Sequence, residues 1–145
     1  MTKQDPAVQG SCLCGSVRFQ LDAALAAGRF CHCSNCRKFS GTSPAAWAMT
    51  ESGALQAQGR EHVRRFDSGR GVRCFCGLCG SPVWFESKDY PGVVGIPLGV
   101  VDTGLVPAPA MHLWVKSAPT WCSVADDLPQ FAEGPDGSPL PNSGD

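Results

Sequence analysis

Apolar and polar residues alternate along Gly15-Ser16-Val17-Arg18-Phe19-Gln20-Leu21-Asp22, with Val17, Phe19 and Leu21 falling on one side. A period of two marks a strand with one buried face. Shorter runs of the same kind lie at 45–50, 63–66, 82–86, 93–96 and 111–115. Turn signals separate them, among them Glu51-Ser52-Gly53, Asp67-Ser68-Gly69 and Tyr90-Pro91-Gly92. The 34–40 stretch predicts a short helix capped by Ser34 and ended by Gly41. Residues 23–27 are rich in alanine but too few to predict a helix. From Glu133 onward, 8 of 13 residues are Gly, Pro or Ser, so this segment has almost nothing apolar to bury and is expected to be disordered. The pattern therefore predicts a mainly β chain with many turns and one short helix after the second cysteine cluster. One domain spans 10–132, with an N-terminal extension at 1–9 and a tail at 133–145.

Composition narrows the classes of function. With 12 basic and 13 acidic residues the formal net charge is -1, which gives no general pull toward nucleic acid or a membrane surface. The hydrophobic share of 43% against 17% charged excludes a wholly disordered chain. The longest apolar run, 93–101, is interrupted by Gly95, Pro97 and Gly99 and falls well short of the ~20 residues of a membrane span. Residues 1–6 hold no apolar stretch of the kind a secretory signal needs, so a cytoplasmic location is expected.

Nine cysteines change this picture. In a chain expected to stay in a reducing compartment, disulfides are not their natural use. Eight of them fall into Cys12/Cys14, Cys31/Cys33/Cys36 and Cys74/Cys76/Cys79. Cysteines one or two residues apart can place their sulfurs on one ion, and tetrahedral zinc takes four such ligands. Iron–sulfur ligation is the competing use of the same donors. Cys12-Leu13-Cys14-Gly15 and Cys76-Gly77-Leu78-Cys79-Gly80 both end in glycine, which lets the backbone turn with positive φ and aim amides at the thiolates. Cys12, Cys14, Cys76 and Cys79 are therefore paired as a closed structural zinc site. Cys31, Cys33 and Cys36 remain as a second site with three ligands. Three protein ligands and an exchangeable fourth position is the arrangement of catalytic zinc. The alternative is that His112, His62 or Cys74 closes the site, with His32 as a further imidazole beside it.

Three stretches closely resemble the family of glutathione-dependent formaldehyde-activating enzymes and centromere protein V. They are Gly10-Ser11-Cys12-Leu13-Cys14-Gly15-Ser16-Val17-Arg18-Phe19, Cys31-His32-Cys33-Ser34-Asn35-Cys36-Arg37-Lys38 with Gly41, and Phe75-Cys76-Gly77-Leu78-Cys79-Gly80-Ser81. His112-Leu113-Trp114-Val115-Lys116-Ser117 and Asp127-Leu128-Pro129-Gln130-Phe131 are similar to it as well. The resemblance implies an antiparallel fold of the β-tent type and two zinc ions per chain, the second in part occupied. It implies the same division into Cys12, Cys14, Cys76 and Cys79 as structural ligands and Cys31, Cys33 and Cys36 as catalytic ligands. Cys74 lies outside the family's pattern. The implied activity is that of a carbon–sulfur lyase joining glutathione to formaldehyde, or another thiol to a small aldehyde. The implied partners are therefore a small-molecule thiol and an aldehyde, with no membrane or nucleic acid; a homodimer is a candidate assembly.

Charge decides which neighbours such chemistry needs. Three thiolates on one divalent zinc leave one net negative charge, and a substrate thiolate adds another. Arg37 and Lys38 follow Cys36 directly and can offset it, or they simply face water. Arg60, Arg64, Arg65, Arg70 and Arg73 place 5 of the 12 basic residues within 14 positions. Their readings are a carboxylate subsite, a phosphate contact or a solvated hairpin. Trp47 and Trp114 read as core or pocket-lining residues, His112 as a hydrogen-bonded structural histidine, and Cys122 as a small buried apolar residue. The rival to the enzyme is a zinc-stabilised binding module for protein or nucleic acid that performs no chemistry; a relative that binds thiol or aldehyde without turnover is the third reading. Elemental analysis of unstripped protein is expected to find two zinc ions per chain. A single ion would remove the second site, and iron with sulfide would remove zinc.

Overall fold

The structure is a computed structural model that describes residues 7–141. The N-terminal extension expected at 1–9 lies outside the described residues over 1–6, and the tail expected at 133–145 does so over 142–145. Among the described residues the chain forms eleven strands and one α-helix. β1 (Val8–Ser11), β2 (Arg18–Leu21) and β3 (Ala26–Cys31) precede helix α1 (Ser34–Ser40). β4 (Ala45–Glu51), β5 (Leu55–Gln58), β6 (Val63–Asp67), β7 (Gly71–Cys76) and β8 (Pro82–Ser87) follow. β9 (Val93–Pro97), β10 (Val101–Thr103) and β11 (His112–Leu113) complete the set. The mainly β reading holds. No helix among the described residues is long and apolar enough to cross a membrane.

The described residues divide into two compact units, 7–26 with 48–107 and 27–47 with 108–141. The first unit contains a sheet of order β10-β1-β2-β5 with antiparallel pairings, in which Val8 faces Leu21 and Phe19 faces Ala57. It also contains the run β9-β8-β7-β6, again antiparallel where β7 meets β6 and β8, and where β8 meets β9. Val17, Phe19 and Leu21 are buried while Arg18 and Gln20 are exposed, as their alternation requires. They pack in one cluster with Leu55, Val83, Trp84, Val94 and Ile96. Each large apolar side chain taken from water contributes roughly 1.5–3 kcal/mol.

In the second unit β11 runs parallel to β3, pairing His112 with Phe30 and Leu113 with Cys31. The strand expected at 111–115 is shorter than its apolar run. Trp114 takes a left-handed φ of 58°, and a single 3-10 turn begins at Val115. Helix α1 has the predicted extent and ends at Gly41 with a left-handed φ of 75°. Its N-cap is Cys33, whose sulfur accepts a hydrogen bond from Cys36 N at 3.2 Å, and not Ser34.

Cys74 belongs to the core of the first unit. It is fully buried, with its sulfur 3.6 Å from Arg65 Nη1 and 3.8 Å from Glu86 Oε1. Burial, reinforced by the Glu86 carboxylate, pushes its thiol up to about 12. A thiol is nucleophilic only as thiolate, so Cys74 stays protonated and inert across neutral pH. Iodoacetamide at pH 8 is expected to leave Cys74 unmodified in the folded protein and to modify it after denaturation. Rapid native labelling of Cys74, read by peptide mass spectrometry, would contradict this placement.

Candidate metal centres

The first centre is made from two hairpin connections. Ser11 pairs with Arg18 across the turn that carries Cys12 and Cys14, and Phe75 pairs with Pro82 across the turn that carries Cys76 and Cys79. The two turns are built alike. Cys12 N donates to Val17 O at 3.0 Å, and Cys76 N to Ser81 O at 2.9 Å. Gly15 N returns to Cys12 O at 3.0 Å, and Gly80 N to Cys76 O at 2.8 Å. Gly15 and Gly80 have φ of 78° and 81°, the left-handed region that a side chain would strain. The glycines thus do what their positions in the sequence indicated. Backbone amides reach the sulfurs, with Val17 N 3.3 Å from Cys12 Sγ and Leu78 N 3.4 Å from Cys76 Sγ. Leu13 N also donates to Ser81 Oγ at 2.9 Å, joining one turn to the other.

All four sulfurs lie within 4.8 Å of one another, with Cys12–Cys14 at 3.6 Å and Cys14–Cys76 at 3.8 Å. A tetrahedron with metal–sulfur bonds of about 2.3 Å has edges of about 3.8 Å, so the set has the size that zinc demands. The Ser81 hydroxyl and backbone amides hold the Cys79 thiol down to about 5, and the Ser16 hydroxyl lowers Cys14 in the same way. Both therefore favour the thiolate form that a metal requires.

The second centre is local. Cys31 ends β3, Cys33 caps α1 and Cys36 lies in its first turn, and their sulfurs also lie within 4.8 Å of one another. Hydrogen bonding to Cys33 and Cys36, with burial, raises the Cys31 thiol well above its ordinary value. Among the described residues no fourth His, Cys, Asp or Glu joins this group. Cys74 is in neither centre, and His62 faces Glu61 at 3.7 Å. Both centres are compatible with zinc.

His32 and His112 face each other. His32 Nε2 lies 2.8 Å from His112 Nδ1, and His112 Nε2 lies 3.0 Å from each oxygen of Asp126. Both imidazoles are buried, whereas the Asp126 side chain is 45% exposed. The hydrogen bond from His112 holds the Asp126 carboxyl below its ordinary range, and burial lowers His32. His112 is thus the hydrogen-bonded histidine that the sequence suggested. Asp126 was missed, because nothing in the local pattern of Ala125-Asp126-Asp127-Leu128 connects it to a residue 14 positions away. Cys122 is half-buried rather than buried; its thiol donates to Ser43 O at 3.4 Å and lies 4.0 Å from His32 Nδ1.

The arginine run is largely matched within its own unit. Arg65 grips Glu86 at 2.7 and 2.6 Å, Arg70 meets Asp89 at 2.9 Å, and Arg64 reaches Glu61 O at 3.2 Å. Arg73 Nε donates to Ser68 Oγ at 3.1 Å, and Arg60 stands 5.5 Å over the Trp84 ring. Arg60, Arg64, Arg65 and Arg70 are exposed and fit the solvated-hairpin reading, whereas Arg73 is buried. In α1, Arg37 Nε is a buried donor with no hydrogen-bond partner among the described residues.

The model of the glutathione-dependent formaldehyde-activating enzyme family matches residues 7–117. The crystal structure of a Rhodobacter sphaeroides protein from a structural genomics effort is similar at 26% identity and a TM-score of 0.56, covering 68% of this chain and 91% of its own.

Substitution is expected to separate the two candidate centres. Cys76→Ser is expected to unfold the protein, because structural zinc contributes roughly 10–16 kcal/mol of apparent binding free energy to small metallo-domains. Cys33→Ser is expected to leave most of the fold intact. Equal loss of structure in both variants by circular dichroism would refute the division.

Proposed function

This chain belongs to the glutathione-dependent formaldehyde-activating enzyme family, and we propose that it joins glutathione, or a similar thiol, to formaldehyde or another small aldehyde. It is then a zinc-dependent carbon–sulfur lyase of the S-(hydroxymethyl)glutathione synthase type, with two zinc ions per chain. Cys12, Cys14, Cys76 and Cys79 hold the structural ion. Cys31, Cys33 and Cys36 hold the second, whose fourth position is left for an exchangeable ligand. The observation that carries this reading is the contrast between the centres: among the described residues four donors gather at one and three at the other.

Zinc in the three-cysteine site would supply a thiolate at neutral pH, because a coordinating thiol gives up its proton. In the reaction the thiol S–H adds across the aldehyde C=O. A carbon–sulfur bond forms, the carbonyl π bond breaks, and a proton ends on the oxygen. No oxidant or reductant is consumed. Holding thiol and aldehyde side by side supplies the proximity that the free reactants lack. Arg37, the residue after Cys36, has a buried Nε–H with no hydrogen-bond partner among the described residues; Lys38 adds a second cation in the same turn of α1. Reduced thiols of this kind fit a cytoplasmic setting. A binding module for nucleic acid fits less well, because the arginines it would use already have partners.

Glutathione is expected to bind the zinc-loaded protein with release of a proton, seen by calorimetry in buffers of different ionisation enthalpy. Replacing Arg37 and Lys38 by Gln should weaken that binding roughly tenfold, the scale of one hydrogen bond to a charged group. Adding formaldehyde should then consume the thiol faster than in the uncatalysed reaction. Binding without acceleration would make the protein a carrier, and no binding would remove the proposal.

A further inference from the structure

We propose that Asp126 is a positioning residue for the three-cysteine site, acting through His112 and His32. This rests on the reading of Cys31, Cys33 and Cys36 as a metal site. His32 stands between two of those cysteines in the chain, so any movement of its backbone moves both sulfurs. Successive residues of an extended segment point to opposite sides. The imidazole accordingly meets His112, while the sulfurs on either side of it meet each other and Cys36.

The hydrogen bonds of the chain fix its direction. The Asp126 carboxylate can only accept, so His112 carries its proton on Nε2 and donates it there. His112 Nδ1 is then an acceptor, and His32 donates to it from Nε2. His32 is held at its backbone as well, where its N donates to Leu113 O at 2.9 Å. Asp126 is itself anchored, because Leu128 N donates to Oδ1 at 3.0 Å. His112 is pinned on both sides by backbone bonds, from its N to Pro129 O and from Phe131 N to its O, each 2.8 Å. Its ring stacks on Phe30, with centroids 5.0 Å apart.

Loss of the carboxylate would free His112 to move its proton to Nδ1. That nitrogen would then meet the His32 Nε2–H donor to donor unless His32 also moved its proton to Nδ1, so the link would lose its fixed direction. His32 and the cysteines beside it would lose one of their constraints, while Cys12, Cys14, Cys76 and Cys79 would not be touched. Hydrogen-bond partners that orient a metal site in this manner commonly change metal affinity 10–100-fold when removed.

Cobalt titration of the full chain tests the proposal, because thiolate-to-cobalt absorption reports each site. A Cys33→Ser variant supplies the signal of the four-cysteine centre alone. Asp126→Ala is expected to weaken cobalt binding at the three-cysteine site about tenfold and to leave the other unchanged. Asp126→Asn keeps a carbonyl oxygen for His112 and should bind as the unsubstituted chain does. His112→Phe should match Asp126→Ala, and combining the two should add nothing, since both cut one connection. Additive effects, an unchanged affinity in Asp126→Ala, or equal weakening at both centres would overturn the positioning role alone. If His112→Phe does not fold, the comparison of Asp126→Ala with Asp126→Asn decides. One cobalt ion per unsubstituted chain would overturn the three-cysteine metal site, and this proposal with it.

Discussion

Four sulfur atoms must meet at the vertices of one small tetrahedron, and Cys14 and Cys76, which lie 3.8 Å apart there, are separated by 62 positions in the sequence. Closing a loop of that length costs about 4 kcal/mol in chain entropy, on a cost that grows only as the logarithm of length. Apparent zinc affinities of roughly 10–16 kcal/mol exceed this with room to spare. The arrangement around the sulfurs also shares the burden. Each cysteine pair sits in a hairpin connection whose own strands set its shape, and the Leu13–Ser81 hydrogen bond joins the connections directly. A metal held there would lock two turns that the β1·β2 and β7·β8 pairings also shape. Phe19 and Trp84, both in the core of the first unit, lie on these same strands.

The second centre faces the opposite problem. Its three cysteines span only six positions, so little entropy is lost in gathering them, and little fold depends on them. What such a local site lacks is rigidity. Cys33 helps by capping the helix that carries Cys36. The His32–His112 contact ties the segment to residues 80 positions away. A group of three donors needs them held fixed more than a group of four does, because no fourth side chain restrains the others. That requirement gives the buried imidazole pair a physical purpose without making either ring a ligand.

Much of this was legible in the sequence, and the rest failed for identifiable reasons. Alternation at Val17, Phe19 and Leu21 reports a local rule, one buried face of a strand, and needs no partner to be known. Glycines after Cys14 and Cys79 report another local rule, positive φ. β3 was missed because Ala26-Ala27-Gly28-Arg29 has no alternation, and Ala27 takes a left-handed φ of 53° within it. β7 was missed because two of its buried positions are Cys74 and Cys76, which the pattern of cysteines had already absorbed. The N-cap fell to Cys33 instead of Ser34 because a thiol can accept from the helix amide as a hydroxyl does. Asp126 and the facing of His32 by His112 are consequences of long-range register, here the parallel pairing of β11 with β3. No local pattern encodes that register.

Counting cysteines therefore identifies the chemistry available and not the role of each residue. Cys79 and Cys74 are five positions apart and differ in nothing but surroundings. A hydroxyl and backbone amides around Cys79 stabilise negative charge and bring its thiol down to about 5, ready to serve as a ligand. Apolar burial beside the Glu86 carboxylate opposes the same charge at Cys74 and takes it up to about 12, where it packs as a small apolar group. The sequence pattern C-x-C-x-x-C offers three equivalent thiols, and only the last two join Cys12 and Cys14 in a group that could hold a metal ion. Position and not acidity makes the selection: burial raises the Cys76 thiol as it raises that of Cys74, yet only Cys76 has its sulfur beside those of Cys12, Cys14 and Cys79, because the two knuckle turns bring these four together.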